Sequence, residues 1–458
     1  MKTIKDKHLF LWLIIIVILI SPLIYYFTGI GQAASNLPAE ITRLPGGTLA
    51  NSPKAEALHS LSLPIGLERM LIYPLLLLAF QLSGMGIALR NHLETQIHPR
   101  LSNRLPWLVQ LTGRAGRWLP PSWRKRLPGR DLLVIALFIL TFNLGIYLLY
   151  LPFNFYRGFV LMHQFGLSTQ TVPGWFSDWG KNVLIGLVIE GSLWTGFFAL
   201  MRLLPRRWPV LAGGLLVATS FVLVLLTPIL ITPLFYTVQP LEDANLRTRI
   251  LNIAERAGMP VEEVYVIDAS AKTTQVNAYV TGFGRAQRIV LFDTLLAGYT
   301  PDEVEVVLAH ELGHWYYRHV LLGLLAMGAI GWLGLFALRW LLNRTWQGLG
   351  LRNPTDVAGL PFILATIAVV SMLSLPVQNA FSRYGENQAD TFALTVSQKP
   401  AAFIQLFTHL AEQNLTIVNP PAWEKLVFYT HPPATERIRR AEHTLQAQTD
   451  ENKKGPVN

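Results

Sequence analysis

Seven long runs of apolar residues alternate with segments that hold most of the charged residues. Each run can cross a bilayer as a helix, for which about twenty apolar residues suffice. The pattern therefore predicts an all-α polytopic membrane protein. The predicted spans lie near residues 8–28, 70–89, 132–153, 183–204, 209–236, 320–342 and 357–380.

Two polar regions have patterns typical of water-exposed structure. The first contains an amphipathic helix, EDANLRTRILNIAERAG, followed by two strand-like segments, VEEVYVID and RIVLFDTLL. The second follows the last span and ends in a polar stretch that is predicted to be disordered. The predicted division is an N-terminal membrane domain of five spans (1–237), an α+β insert (238–319), spans six and seven (320–382), a C-terminal polar part (383–445) and a disordered tail (446–458).

Two spans have features of their own. The first follows MKTIKDK, and GQAAS at 31–35 resembles a signal cleavage site, but the apolar core is long for a signal peptide and favours a retained anchor. The fourth contains Glu190. An ionisable residue inside a span is a functional candidate, although a role in helix packing is an equal alternative.

Composition restricts the partners and the ligands. Only 14% of the residues are charged, against about 25% in soluble domains. The chain has no cysteine, so a metal ion would be held by His, Asp or Glu. The net charge of +10 could suggest nucleic acid, but the basic residues flank apolar spans and are better explained as topology signals. We therefore expect a lipid bilayer as partner and no nucleic acid.

Lys and Arg residues are distributed unevenly between the two sides. The loops opposite the polar inserts hold eighteen, and those on the side of the inserts hold five. The positive-inside rule then predicts that the inserts lie on the non-cytoplasmic face.

The segment AHELGHWYYRH places His310 and His314 four residues apart, on one face of a helix. Both imidazoles can then bind one metal ion, and Glu311 can reach a water molecule beside it and serve as general base. Pro301, with two acidic residues after it, predicts the helix start. Gly313 predicts a close approach of another element to the ligand pair. The alternative is an amphipathic helix whose histidines only border the membrane.

A catalytic zinc site needs a third protein ligand. In RYGENQAD, Glu386 and Asp390 lie one helical turn apart. Glu386 could complete the ligand set, and Asp390 could accept the ring N–H of a ligating histidine. The alternative for this pair is a solvated helix face. His319 is expected to lie at a helix end and not to be a ligand.

These residues resemble the type I CAAX prenyl endopeptidases, integral-membrane zinc proteases of the gluzincin kind. The likeness covers most of the chain, because HQFGLSTQT, ITPLFY, NAYVTGFGRAQRIVLFDTLL, ELGHW, ENQAD and HPPATER follow in family order. It differs at Gly385 and Asn387, where the family usually has aromatic residues. The resemblance implies seven spans around a chamber, a gluzincin-like zinc protease part and one Zn²⁺ per chain.

Transferred onto this sequence, the family pattern assigns a role to each candidate. The resemblance implies that His310, His314 and Glu386 are metal ligands, Glu311 is the catalytic base and Asp390 is the carboxylate behind a ligand. His431 and Arg437, in HPPATER, match residues near the scissile carbonyl, and a helix start is their other explanation. Asn277, Ala278 and Tyr279 match a strand that lines the cleft, and an ordinary strand is equally plausible.

The implied substrate is a peptide or protein with a prenylated C-terminal C-a-a-X sequence, from which the last three residues are removed. One alternative is a membrane quality-control protease that acts on unprenylated chains. The other is a transporter or lipid-handling protein with a structural metal site. A bacterial inner membrane is expected rather than the endoplasmic reticulum.

Overall fold

A computed structural model describes residues 2–27, 36–44, 49–107, 120–259, 263–281 and 288–454. The cleavage-like segment at 31–35 lies outside these ranges. Within them, the helices and strands used below are α1 Lys2–Phe27, α2 Pro53–Leu82, α3 Met85–His92, α4 His98–Arg104, α5 Pro121–Arg126, α6 Gly129–Leu149, α7 Leu151–Phe155, α8 Met162–Gln164, α9 Val172–Leu203, α10 Trp208–Leu226, α11 Thr232–Phe235, β1 Val238–Pro240, α12 Ala244–Arg256, β2 Glu263–Ile267, β3 Ala278–Thr281, β4 Arg288–Phe292, α13 Asp293–Gly298, α14 Pro301–Tyr316, α15 His319–Thr345, α16 Leu360–Ser397, α17 Pro400–Gln413, α18 Ala422–Phe428 and α19 Ala434–Lys454.

Seven of the described helical segments are long and apolar enough to cross a membrane, as predicted. Five of them precede the strands, and the other two are α15 and the α16 region. Large apolar side chains on these helices face outward; Leu333 is 72% exposed and Leu373 is 70% exposed. In the Trp208–Phe235 span, 0% of the most apolar window is buried inside the protein. The helices are therefore built to face lipid and are not packed as a closed soluble bundle.

The boundaries of the second span differ from the prediction of 70–89. Helix α2 begins at Pro53, because the Ser52 side chain accepts a hydrogen bond from Ala55 N and caps the helix. It ends before Gly84, whose φ of +79° breaks the helical path. The predicted span thus combined the end of α2 with the start of α3.

The seventh span does not end near residue 380. Helix α16 runs without interruption from Leu360 to Ser397 and carries Glu386 and Asp390 beyond the apolar segment. The predicted domain boundary at 382/383 therefore falls inside one helix. A change in hydrophobicity marks where a helix leaves the bilayer, but it does not mark where the helix ends.

The polar insert contains a four-stranded sheet with strand order β1-β2-β4-β3. Strands β2 and β4 pair in parallel, with Val264 opposite Ile289, and β3 pairs antiparallel to β4, with Ala278 opposite Leu291. Strand β3 is consequently an edge strand. The sheet packs with α12, α14 and α17 around a core that includes Ile250 and Leu308, both 0% exposed.

Helix α14 is fixed at its beginning by a capping box. The Thr300 hydroxyl accepts from Glu303 N, and Glu303 Oε2 accepts from Thr300 N at 2.8 Å. Further along, the buried Glu305 forms ion pairs with Arg249 of α12 and with Lys399 at the start of α17. The predicted helix start at Pro301 is confirmed, and these contacts determine the direction in which α14 projects its histidines.

The basic loops meet on one face of the molecule. Arg202 binds Asp131 at 2.9 Å, and Arg352 binds Glu94 at 2.6 Å. Both contacts join segments that are predicted to lie opposite the inserts.

The polar tail differs from its prediction, because α19 remains helical as far as Lys454. Its Gln, Ala, Glu and Lys residues are good helix formers, and they extend a helix that is already nucleated against the core.

Candidate active site

Helices α14 and α16 bring three candidate ligands together. His310 Nε2 lies 3.2 Å from His314 Nε2 and 3.3 Å from Glu386 Oε2, and His314 Nε2 lies 3.3 Å from Glu386 Oε1. Ligand atoms held at tetrahedral angles about 2.0–2.1 Å from one ion would stand about 3.3–3.4 Å apart. The three side chains therefore have the spacing of a tetrahedral metal site.

The donor set also fits a cation chemically. Glu386 is 5% exposed, and its Oε2 has no hydrogen-bond partner among the residues that the structure describes. A buried carboxylate oxygen without a partner is costly. Two imidazole nitrogens face it at close range, so a divalent cation between the three groups would accept one lone pair from each of them. Such a His/His/Glu set leaves one coordination position open.

Gly313 permits the close contact between the two helices. A Cβ at this position would lie 2.9 Å from Ala389 Cα and 3.2 Å from Phe392 Cβ. Ala389 belongs to the same turn of α16 as Glu386 and Asp390. The prediction of a close approach at Gly313 is thereby confirmed, and the missing side chain lets α16 reach the histidines.

A carboxylate lies behind His310. Asp390 is 0% exposed, and its Oδ1 is 3.0 Å from His310 Nδ1. Arg437 Nε donates to Asp390 Oδ2 at 2.9 Å, and Arg440 Nη1 donates to the same oxygen at 3.2 Å. Burial alone would lower the pKa of His310, but the neighbouring carboxylates of Asp390 and Glu386 raise that pKa to about 9. With Nδ1 donating to Asp390, Nε2 is the nitrogen left for a metal ion.

His314 has a different neighbour, which the sequence analysis did not identify. Its Nδ1 lies 2.9 Å from Nδ1 of His319, and His319 Nε2 lies 3.1 Å from Gln388 Oε1. His319 is the first residue of α15, so it does lie at a helix end. Gly385 lies against this ring, and a Cβ there would meet it at 3.4 Å, an ordinary van der Waals contact. The only indication of this contact in the sequence is that His319 follows His314 by five residues.

Asn387, the second position at which the sequence differs from the family pattern, also has a hydrogen-bond partner. Asn387 Oδ1 accepts from Arg440 Nη2 at 2.5 Å, and the same arginine contacts Asp390. Asn387 thus helps to hold a cation that neutralises the carboxylate behind His310.

A cleft of about 460 Å³ opens beside the three candidate ligands. Glu311 lines it, and burial raises the pKa of this carboxyl group above its ordinary value. A carboxylate with a raised pKa is better suited to accept a proton near neutral pH. His431 also lines the cleft, with Nε2 at 3.3 Å from Glu386 Oε1, and burial lowers its pKa.

Arg437 is placed differently from His431. It is 7% exposed, its guanidinium stacks on the Phe407 ring at 3.7 Å, and most of its hydrogen bonds go to Asp390. Of the two residues in HPPATER, His431 is therefore the one with an accessible ring in the cleft. Arg437 also borders the cleft, but it hydrogen-bonds to Asp390 behind His310 and neutralises that carboxylate.

The edge strand borders the same cleft. Asn277 C=O accepts from Phe292 N of β4 at 3.1 Å. Successive residues of a strand direct their main-chain groups to alternate sides, so the main chain of Ala278 points toward the open side. Asn277 and Ala278 both line the cleft. The Tyr279 side chain instead packs beneath the sheet against Ile267 and its neighbours.

The sequence matches two family descriptions. Residues 240–445 match peptidase family M48, and residues 100–237 match the description "CAAX prenyl protease N-terminal, five membrane helices". A CAAX prenyl protease 1 homolog from Oryza sativa subsp. japonica is 32% identical over 298 residues, which cover 64% of this chain and 69% of that protein. The chain belongs to the CAAX prenyl protease family of membrane metalloproteases.

Other members of the family extend the comparison. The uncharacterized metalloprotease YhfN of Bacillus subtilis (strain 168) is 32% identical over 309 residues, which cover 67% of this chain and 72% of YhfN. The crystal structure of S. mikatae Ste24p has a TM-score of 0.65 and 21% identity, and the match covers 95% of this chain and 99% of that one. That likeness confirms the fold. Membership of a metalloprotease family does not favour the transporter alternative, and it implies a metal ion.

Proposed function

We propose that this metalloprotease removes the C-terminal tripeptide from C-a-a-X peptides that carry a prenylated cysteine. The observation that carries the proposal is the convergence of His310, His314 and Glu386 beside Glu311, in a cleft bordered by the edge strand β3. The names of its relatives support the substrate class, since several are CAAX prenyl proteases. The site lies where α15 begins and where α16 extends beyond its apolar segment. This position at the end of two spans supports a substrate that is attached to lipid.

The metal in this proposal is zinc, one ion per chain, held by His310, His314 and Glu386. Zinc prefers nitrogen and oxygen ligands in this number and spacing. When bound, it would supply Lewis-acid chemistry, polarising a carbonyl group and lowering the pKa of water.

The other residues have distinct tasks. An extended peptide adds to the edge of β3 through hydrogen bonds with the Ala278 main chain, which positions the scissile bond in the cleft. Glu311 takes a proton from the attacking water and delivers it to the leaving amine. The His431 ring donates a hydrogen bond to the oxygen that becomes negatively charged. Asp390, neutralised by Arg437, holds the orientation of His310.

Metal analysis of the purified protein, combined with a cleavage assay, tests the proposal. We expect one zinc per chain and release of a tripeptide from a farnesylated peptide, with loss of cleavage in a chelator and recovery on adding zinc. Equal cleavage of farnesylated and unprenylated peptides would instead support the quality-control alternative.

We further propose a bacterial inner membrane, with the catalytic side away from the cytoplasm, on the basis of the Lys and Arg distribution. Because the chain has no cysteine, single-cysteine variants give a clean test. Asp450→Cys should react with an impermeant thiol reagent in intact cells, and Asn103→Cys should not. The reverse labelling would refute this orientation.

A further inference from the structure

A second cavity, of about 910 Å³, continues from the active-site cleft. The two spaces share Val276 and Asn277, just before β3, and Asn414 and Thr416, after α17. A chain that follows the edge of β3 past the catalytic residues would therefore enter the second cavity. Its volume lies within the range of about 300–1,000 Å³ found for ligand pockets.

Among the described residues, the lining of this cavity combines aromatic rings and neutral polar side chains with the carboxylate of Asp178 and the ammonium group of Lys272. Lys272 Nζ lies 4.6 Å from the centre of the Tyr236 ring and binds Asp178 at 2.5 Å. An ammonium group has three donors, so Lys272 keeps donor capacity toward the cavity. The aromatic residues in the lining are Trp175, Trp179, Phe235, Tyr236 and Phe292.

The charge around Lys272 is unbalanced in favour of cations. Asp178 accepts from Lys272, from Lys181 at 3.3 Å and from Gln170 at 2.7 Å. One carboxylate thus serves two ammonium groups and leaves one positive charge in excess among these residues. Lys181 also donates to Leu234 O at 2.9 Å and does not border the cavity, so Lys272 is the cation that a ligand would meet.

We propose that this cavity receives the C-terminal tripeptide of the substrate and that Lys272 binds its terminal carboxylate. The inference rests on the proposed function. On one side of the scissile bond a C-a-a-X substrate has only three residues, two of them apolar, and a free carboxylate. The aromatic part of the lining suits the two apolar side chains, and Lys272 suits the carboxylate at that end of the peptide. The prenylated cysteine has no group that needs a cation and would lie on the other side of the catalytic residues.

The fit in length supports the assignment. Three extended residues span about 10 Å. Lys272 lies five positions before Asn277, and Thr273, Gln275 and Val276 between them line the cavity together with Lys272. In the proposed binding mode the carboxylate of a tripeptide meets Lys272, whereas longer C-terminal extensions would have to pass it.

The test uses full-length protein and pairs of peptides that end in a free acid or an amide, each made with and without farnesyl. We expect the wild-type protein to prefer the acid at least tenfold in kcat/KM, mostly through a lower KM. Lys272→Met should remove most of this preference, and Lys272→Arg should retain it. Lys181→Met is the matched control, since it also removes a lysine from Asp178 but none from the cavity, and it should keep the preference.

Two results would overturn the inference: equal cleavage of acid and amide by the wild-type protein, or an unchanged preference in Lys272→Met. The wild-type comparison decides the matter even if a variant does not fold. If the farnesyl group had no effect but the acid were still preferred, the proposed substrate would be refuted. The assignment of Lys272 as the residue that binds the terminal carboxylate would still hold.

Discussion

Helices α14 and α15 follow one another along the chain, separated by two residues, but they have opposite surroundings. In α14, Leu308 and Leu312 are both 0% exposed. In α15, Met327 is 64% exposed and Leu333 is 72% exposed. Arg318, with a φ of 56°, makes the turn between them. The geometry of α14, which carries His310 and Glu311, depends on tight packing, whereas α15 is suited to contact with lipid.

The contrast explains how a hydrolytic site can stand beside a bilayer. The ligands need positions fixed to within a fraction of an ångström, which interlocked side chains and buried ion pairs provide. A span needs only length and apolarity. We therefore expect the same substitution to have very different effects in the two regions.

The largest expected contrast concerns two carboxylates. Glu311→Gln should lower kcat by about 10²–10⁴-fold, because the amide cannot accept the proton of the attacking water. Its metal content should remain unchanged. Glu190→Gln is the matched variant in a span, and it should have a much smaller effect, because an amide still accepts from Tyr147, which lies 3.0 Å away. Both are measured by peptide cleavage together with metal analysis. Full activity in Glu311→Gln would refute the assigned base.

A second contrast compares the groups behind the two histidines. Asp390→Asn should weaken metal binding by about 10–100-fold, because His310 loses its charged acceptor and Arg437 is left buried without an anion. His319→Asn should weaken it less, since His314 has a neutral neighbour. Competition with a chelator of known affinity measures both. A larger loss in His319→Asn would reverse our ranking of the two supports.

Two glycines, one in α14 and one in α15, test the difference in packing between these helices. Gly313→Ala should destabilise the protein by about 1–3 kcal/mol and disturb the ligand spacing, because its Cβ would collide with the α16 backbone. Gly323→Ala in α15 should be neutral or slightly stabilising, since nothing lies within 4 Å of its Cβ and alanine favours helix. Thermal unfolding in detergent checks both. Equal shifts in Tm would contradict the contrast.

The smallest expected effect depends on pH. Hydrogen bonds from Lys399 and Arg249 hold the pKa of Asp302 below its ordinary value. The ionised Asp302 carboxylate therefore stabilises the folded protein fully above its pKa in the unfolded chain, near 3.9. This stabilisation is lost as the pH falls through its lower pKa in the folded protein. More than half of the side chain is exposed, so the contribution is small. The Tm advantage of wild type over Asp302→Asn should be present at pH 7 and disappear at low pH. An advantage that grows on acidification would contradict this assignment.

Much of the fold could be predicted because its signals are local. Twenty apolar residues identify a span wherever they occur, and His310 and His314 must share a face of any helix that contains them. Boundaries were harder to predict. Helix α2 begins at the Ser52 cap, well before its apolar part, and α16 continues past its apolar part to residues that serve the site.

Contacts between distant segments could be inferred only by analogy with a family. Three contacts depend on how separate helices and strands pack. They are the hydrogen bond from Arg437 to Asp390, the contact between the rings of His319 and His314, and the packing of Tyr279 against the sheet. No periodicity in the sequence encodes them.

The order of residues along the chain is enough to infer the number of spans, the pair of histidines with Glu311 between them, and the lack of cysteine ligands. Only packing brings Glu386 to 3.3 Å from those histidines and makes a cavity with Lys272 continue the cleft. The two kinds of feature differ in the distance along the chain over which they are set. Helical faces and hydrophobicity are set by neighbours along the chain, whereas a ligand set drawn from α14 and α16 exists only once Gly313 lets the two helices touch.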